Sequence, residues 1–442
     1  MIAFWRRHIS QRIFCVVIAF SCASAHALEI EPAVGAAFEY TNNVEQVPSN
    51  KSGETIAVAY VGAKAVENEG SLTYDALATL NRYKYLQDTF ESSRYFNLIT
   101  NADWEISKER FNLRMNDIFT QRSIAVLGSN TPDNIQDTNA FNLSGDLLFK
   151  ATPRNTFTVT PSFSQYYFEI QRTNNKQYSL AGNWSYSMNR LSNLGLSLST
   201  RRVGYTETAL SGQAIEDTRF STLSFQFSRQ TTRSSFSTSL GSTSVKREAG
   251  AETKGFIGNI SWRKDVSSRS SISAGASTGL TDTSSISSGA GGGLPDDNVQ
   301  VTTDVIRNSV FNAAYSREDA TVRTSVSFVY RKVKYSESPL DQVNKTLRVT
   351  VDYPISQRLT GGVYAIYDSS ERLITEREDE VSTLGGNLSY NFSAKLYGTF
   401  DLTYRNKEST FDTENYDEYS VYLSVVYGFG QVYRPTRISS GF

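Results

Sequence analysis

Histidine and cysteine, on which most nucleophilic and metal-binding chemistry draws, are nearly missing from this chain of 442 residues: His8, His26, Cys15 and Cys22 are all it has. All four fall within the first 27 residues, a stretch with the form of a cleaved secretory leader. Arg6, Arg7 and Arg12 precede a short apolar run from Ile13 to Phe20, and Ala25-His26-Ala27 supplies the small-x-small pattern of a signal-peptidase site. The apolar run is too short to anchor the chain, since a bilayer takes roughly 20 such residues. Cys22 would suit a lipoprotein, but Phe20-Ser21 ahead of it makes a poor lipobox. With the leader removed, a chain beginning at Leu28 has no disulfide, thiolate nucleophile, histidine base or His/Cys metal site available to it. No catalytic residue, cofactor or metal is therefore expected, and an enzyme would have to work without the usual Ser-His or Asp-His pairing.

Long apolar runs are equally scarce, as is any excess of charge. The 44 basic and 45 acidic residues give a formal net charge of -1 with no basic tract, which argues against nucleic acid as a partner. Low average hydropathy ordinarily indicates a soluble protein of several domains. A transmembrane barrel gives the same average, because its strands alternate lipid-facing with lumen-facing residues.

What the chain has in quantity is alternation. In YSVYLSVVYGFG, residues 419–430, Tyr419, Val421, Leu423, Val425, Tyr427 and Phe429 share one face and Ser420, Tyr422, Ser424, Val426, Gly428 and Gly430 the other. Near Leu28, Ile30, Val34, Ala36, Phe38 and Tyr40 alternate in the same way with Glu29, Glu31, Ala33, Gly35 and Glu39. Period two over such lengths is the strand signal, and globular strands are usually only about 5–6 residues long. About twenty segments qualify, near 29–40, 54–66, 71–85, 93–106, 111–120, 139–150, 155–168, 177–188, 193–204, 219–229, 234–246, 254–264, 270–280, 304–316, 321–331, 345–353, 359–369, 381–392, 396–405 and 417–429. Pro161 sits inside one of them and predicts a bulge or local break, because it removes a ladder donor.

Short connections such as ENEG (67–70), SKER (107–110) and ISQR (355–358) alternate with longer polar ones at 41–53, 121–138, 205–218, 281–303 and 406–416. Short turns at one rim and long loops at the other are the layout of an outer-membrane barrel, with the short turns periplasmic. A soluble sandwich or propeller would fill its apolar face with Ile, Leu and Val; here aromatics such as Phe157, Tyr167, Tyr178, Tyr186, Tyr353 and Tyr390 gather toward segment ends, where a membrane interface suits them. The expected fold is all-β: a single transmembrane up-and-down antiparallel β-barrel over 28–430, of about 20 strands, in the outer membrane of a Gram-negative bacterium. Eighteen strands is the alternative, with the weak segments 304–316 and 345–353 given up. Residues 1–27 are the leader and 431–442 a short periplasmic tail presenting Phe442. The first strand starts so close to the cleavage site that no N-terminal plug domain is expected.

If the apolar face meets lipid, the other lines the lumen, with Ser, Thr, Asn and Gly in quantity, as in Thr156, Thr158, Thr160, Ser162 and Ser164. The lumen-facing candidates are Asp75, Arg114, Asp146, Tyr166, Arg201, Arg323, Arg348, Asp352, Tyr364, Tyr397, Asp401 and Tyr422. The charges either select solutes through a transverse field or are solvated pairs that hold the wall together; the tyrosines either stack on sugar rings or stand at the rim. In the longest loop, 281–303, Gly289-Ala290-Gly291-Gly292-Gly293 lacks the Lys-Ser/Thr of a phosphate cradle. The loop reads as an outer flexible segment, or else as a constriction folded into the pore, and Asp296 and Asp297 are a weak cation signal.

EPAVGAAFEYTNNV (31–44), followed by hairpins of the type NWSYSMNRLSNLGLSLSTRRVGY (183–205), resembles the porin-like barrels encoded with bacterial exopolysaccharide systems, in rhythm over essentially the whole mature chain. The resemblance implies export of an extracellular or capsular polysaccharide, with periplasmic export components as partners, and carries no catalytic motif. A general or sugar-selective diffusion porin is the alternative, and a structural or adhesive barrel a third reading. The remaining expected partners are those of any such barrel: the lipid bilayer, lipopolysaccharide and the barrel-assembly machinery.

Overall fold

The computed structural model describes residues 29–129, 131–206, 215–248, 252–287 and 299–428. The leader, the tail, Phe429, Gly289 to Gly293, Asp296 and Asp297 lie outside the described residues.

Twenty strands form one antiparallel sheet that closes on itself. In chain order they are β1 Glu29–Thr41, β2 Glu54–Glu67, β3 Leu72–Tyr85, β4 Ser93–Ser107, β5 Phe111–Ser123, β6 Ile135–Thr152, β7 Asn155–Phe168, β8 Asn175–Asn189, β9 Ser192–Tyr205 and β10 Thr218–Gln230. They continue as β11 Ser234–Arg247, β12 Thr253–Ser267, β13 Ser270–Asp282, β14 Val305–Glu318, β15 Arg323–Tyr335, β16 Gln342–Pro354, β17 Leu359–Arg372, β18 Arg377–Asn391, β19 Leu396–Ser409 and β20 Tyr416–Gly428. The one short α-helix among the described residues, α1 (Thr283–Ser287), follows β13, and two single-turn 3-10 segments lie at Pro132–Asn134 and Asp412–Glu414.

Each strand pairs with its sequence neighbours, and β1 closes on β20 from Thr41↔Ser420 to Ala33↔Gly428. Alternation sets the two surfaces. On β1 the side chains of Ile30, Val34, Phe38 and Tyr40 are exposed while Ala33, Ala37, Glu39 and Thr41 are buried; on β20 Tyr419, Leu423, Val425 and Tyr427 are exposed while Ser420, Tyr422, Ser424 and Val426 are covered. A continuous outer band of exposed Leu, Val, Phe and Tyr is what hydrocarbon covers in a membrane barrel.

The alternative of eighteen strands falls away. β14 and β16, the segments with the weakest alternation, are full strands paired along both edges. Pro161 breaks the ladder without bulging it: β6 and β7 pair at Ser144↔Ser162 and next at Leu147↔Val159 in unchanged register, while Pro161 stays paired with Leu180 of β8. The shifts of register lie elsewhere, at Glu105/Ser107, Lys150/Thr152, Ser187/Asn189 and Asp265/Ser267, each beside a short turn. The expected long loop 121–138 contracts to 124–134 because β5 and β6 extend into it.

At the inner rim the turns are clipped by ion pairs. Asp319 pairs with Arg317 at 2.6 Å and with Arg269 of the neighbouring turn at 3.2 Å. The hydrogen bond from Arg317 is the main cause that holds the Asp319 carboxyl below the usual carboxylate range.

Inside the wall, two glycines accept aromatic rings. Tyr60 of β2 lies across Gly35 of β1, and its ring packs with Ala33, Val426 and Tyr397. Tyr364 of β17 lies across Gly385 of β18 and reaches Thr403 of β19, hydroxyl to hydroxyl, at 2.8 Å. A Cβ on either glycine would fall within the ring, so only glycine leaves room for the tyrosine to lie flat. Gly35→Val is therefore expected to lift Tyr60 and destabilise the barrel by about 1–3 kcal/mol, the usual cost of overpacking. Urea unfolding in liposomes checks this, and an unchanged midpoint would refute the ring-over-glycine account.

Candidate pore and its constriction

Successive side chains of a strand point to opposite sides of the sheet. The rows opposite the exposed apolar band therefore line the bore, and their chemistry divides the wall into two arcs.

From β7 to β14 the row is mostly hydroxyl and amide, with apolar side chains such as Phe168, Val203, Phe220 and Val245 gathered toward the outer rim. It includes Thr156 to Ser164 on β7, Ser179, Asn183 and Ser185 on β8, Ser197 and Ser199 on β9, Thr222 and Ser224 on β10, Ser235, Ser237 and Ser239 on β11, Asn259 and Ser261 on β12, and Ser271, Ser273 and Ser277 on β13. These hydroxyls couple across strands, as in Ser162–Ser179 at 2.5 Å, Thr222–Thr243 at 2.8 Å, Ser237–Ser261 at 2.7 Å and Ser271–Ser316 at 2.9 Å. Charges on this arc stand only toward its ends: Arg201 and Arg247 by the outer rim, Arg263, Asp265 and Glu318 by the inner one. The rest of the wall, from β15 through β20 and on from β1 to β6, carries the ions.

All but two of the twelve candidates fall on that charged arc, the exceptions being Tyr166 and Arg201. Asp75 pairs with Lys64 at 3.3 Å. Arg114 pairs with Asp146, which also accepts a hydrogen bond from Thr160 at 2.7 Å. Arg323 meets Glu318 at 2.9 Å and stands in register with Asp352. Arg348 is in register with Ser327 and Ile366. Asp401 accepts from Thr403 at 2.7 Å and from the hydroxyl of Tyr364 at 3.4 Å. Arg201 binds Asp282 at 2.9 Å and lies over the ring of Phe220 at 4.4 Å.

The tyrosines depart from the stacking role. Tyr166, Tyr397 and Tyr422 are only 2%, 3% and 9% exposed, and Tyr364 is spent on Gly385, so their rings pack the wall rather than offer a face to a passing sugar.

Two loops cross the outer end of the bore. Loop 124–134 is tightened by Asn134, whose side chain accepts from Ala125 N at 2.8 Å and donates to Ala125 O at 3.0 Å. It reaches β18 and β19, far around the wall, where Arg377 and Lys407 both donate to the Leu127 carbonyl, at 3.0 and 3.2 Å. Those two cations are balanced by Asp379, at 2.8 and 3.8 Å, and by Glu414, at 3.5 and 3.3 Å.

The described ends of the loop between β13 and β14 turn inward rather than outward. Val301 packs with Ala140, Tyr166 and Phe168; Val299 packs with Ile306, Val333 and Tyr335. Arg122 of β5 donates to the Val299 carbonyl at 3.0 Å, and Gln300 donates to the Ile124 carbonyl at 3.0 Å, which joins the two loops. Asp282 and Asp304 fix the roots of the loop on Arg201 and Arg247. Of the two readings of 281–303, the inward one holds for these residues.

Arg122, Arg377, Lys407, Gln300 and Asp304 do not stand out in the sequence. β18 starts at Arg377, four residues before the alternation becomes visible, and β19 runs to Ser409 rather than 405, so Arg377 and Lys407 read as loop. The usable signal was the clustering of opposite charges at strand ends in 377–380 and 405–418.

Residues 319–429, which span β15 to β20, match the family described as Putative beta-barrel porin 2, in keeping with the resemblance to porin-like barrels. No curated protein matches the chain. Among solved structures it is similar to the FrpB iron transporter from Neisseria meningitidis (F5-1 variant), with 9% identity and a TM-score of 0.51 over 92% of this chain and 83% of that one. It is also similar to the siderophore receptor PirA from Acinetobacter baumannii, with 8% identity and a TM-score of 0.50 over 92% and 81%. At such identities the likeness is one of fold alone: a large β-barrel.

Replacing Arg377 and Lys407 together by serine should free the Leu127 carbonyl and let loop 124–134 swing out of the bore. The expected outcome is a severalfold rise in single-channel conductance of the purified barrel in planar bilayers, with its heat-modifiable gel mobility kept. Unchanged conductance would mean that the loop does not limit the opening.

Proposed function

We propose that this porin-like barrel of the Gram-negative outer membrane is a non-enzymatic pore through which an extracellular or capsular polysaccharide leaves the cell. The observation that carries the reading is the neutral arc from β7 to β14, a wall of hydroxyl and amide groups that follows the bore between its rims. A polymer of hydroxyl-bearing sugars exchanges hydrogen bonds with water for equivalent ones with such a wall. Each contact is weak and replaceable, as transit requires, because tight sites would stall the chain. The burial of Tyr166, Tyr397 and Tyr422 supports sliding over stacking. The paired ions of the other arc serve the loops: Arg377, Lys407 and Arg122 hold backbone carbonyls of the two crossing segments.

Deletion of the gene is expected to abolish surface polysaccharide and to leave small-solute uptake unchanged. Normal surface polysaccharide in the deletion strain would overturn the reading. The crossing loops favour one second reading, a diffusion porin whose bore they narrow. That reading requires a steady large conductance of the unmodified barrel and measurable influx of small sugars into liposomes.

A further inference from the structure

On the outer face of β9, β10 and β11, three basic residues stand side by side. Arg202 is directly opposite Arg219 in the β9–β10 register, and Arg219 is directly opposite Lys246 in the β10–β11 register. Like charges facing each other across strands are destabilising on their own account. The arrangement is not incidental to one pair, since Arg82 faces Arg94 on β3 and β4, and Arg307 faces Lys334 on β14 and β15, all toward the rim of the long loops.

Local acids relieve the first cluster only in part. Asp217 is committed to Arg202, at 2.6 Å, and Glu252 to Lys254, at 3.3 Å. Arg219 and Lys246 are exposed, and no described acid stands within ion-pair distance of either; Glu252 acts on Lys246 only at longer range. Their height is set by what lies beneath. Leu198 of β9 and Leu223 of β10 face each other as exposed members of the apolar band, and Arg202 and Arg219 stand four residues further along the same faces. At a rise of 3.2–3.4 Å per residue and a tilt of roughly 40°, that is about 10 Å nearer the long-loop rim, with only the polar pair Thr200 and Ser221 facing outward in between. Tyr178 of β8, 60% exposed, is in register with Arg202 and marks the same interface.

We propose that Arg202, Arg219 and Lys246 form a binding site on the outer wall for the phosphate groups of a phosphorylated glycolipid in the outer leaflet. A phosphate placed between Arg219 and Lys246 turns their mutual repulsion into two charge-assisted contacts, and basic residues at a membrane surface attract anionic headgroups in this way. The apolar band below receives the acyl chains. The site is independent of what passes through the bore.

The test uses the full-length barrel in detergent, with bisphosphorylated lipid A, its dephosphorylated form and inorganic phosphate as separate probes, and native mass spectrometry as the readout. The wild type should retain bisphosphorylated lipid A in preference to the dephosphorylated form. Arg219→Ser with Lys246→Ser should weaken that retention about tenfold or more. Lys264→Ser, an outward substitution on β12 near the inner rim, should leave it unchanged. Heat-modifiable gel mobility confirms that each variant is folded. Equal retention of the two lipids by the wild type, or full retention by the double variant, would overturn the site. Phosphate alone displacing lipid A at equal concentration would assign the cluster to free anions and overturn the lipid assignment.

Discussion

Inside a bilayer no water is available to satisfy backbone amides, so a sheet that spans it must have no free edge. The rest of this structure follows from the pairing of β1 with β20, which removes the last edge. Because β1 meets β20 antiparallel, the strand number is even and both ends of the sheet lie at one rim, the rim of the short turns, with the long loops at the other. Closure also imposes period two on every strand, because each residue must belong to the hydrocarbon or to the bore.

Twenty strands close around a bore wider than side chains can fill, since barrels of 16–18 strands already enclose an aqueous channel. Two loops occupy the surplus space at the outer end. Their polar backbone is admissible there because charged and amide side chains meet it: Arg122 at Val299, Gln300 at Ile124, and Arg377 with Lys407 at Leu127. The groups that meet the crossing backbone at Leu127 and Val299 sit on the charged arc, whereas the roots of the β13–β14 loop are held by Arg201 and Arg247 at the outer rim of the hydroxyl arc, above the stretch that lines the bore.

Strand number, topology and the face that meets lipid were legible in the sequence because each rests on a local signal, the alternation of side chains. Even β14 and β16, where that alternation weakens to VIRNSVFNAAYSRE and QVNKTLRVTVDYP, keep their place, since a strand omitted from a closed sheet would leave two edges. The constriction was not legible. Nothing in residues 124–134 says which way the loop turns, and its partners on β18 and β19 lie more than two hundred residues away in the chain. The candidates on the bore were a similar mixture. Period two put Tyr166, Tyr397 and Tyr422 on the inward row, but whether a ring stands free or lies against the wall depends on its cross-strand neighbours, such as glycine at 35 and 385.

The division of the wall into two arcs also partitions hydration. Fixed charges hold counterions and their bound water near them, so mobile ions collect along β15 to β6, while the hydroxyl wall of β7 to β14 keeps only ordinary, quickly exchanging water. On the reading proposed above, an uncharged polymer would displace that second layer at lower cost than the first and would travel off-centre. Ions would then keep their own lane beside it, and a polymer in the bore would narrow it for salt rather than seal it.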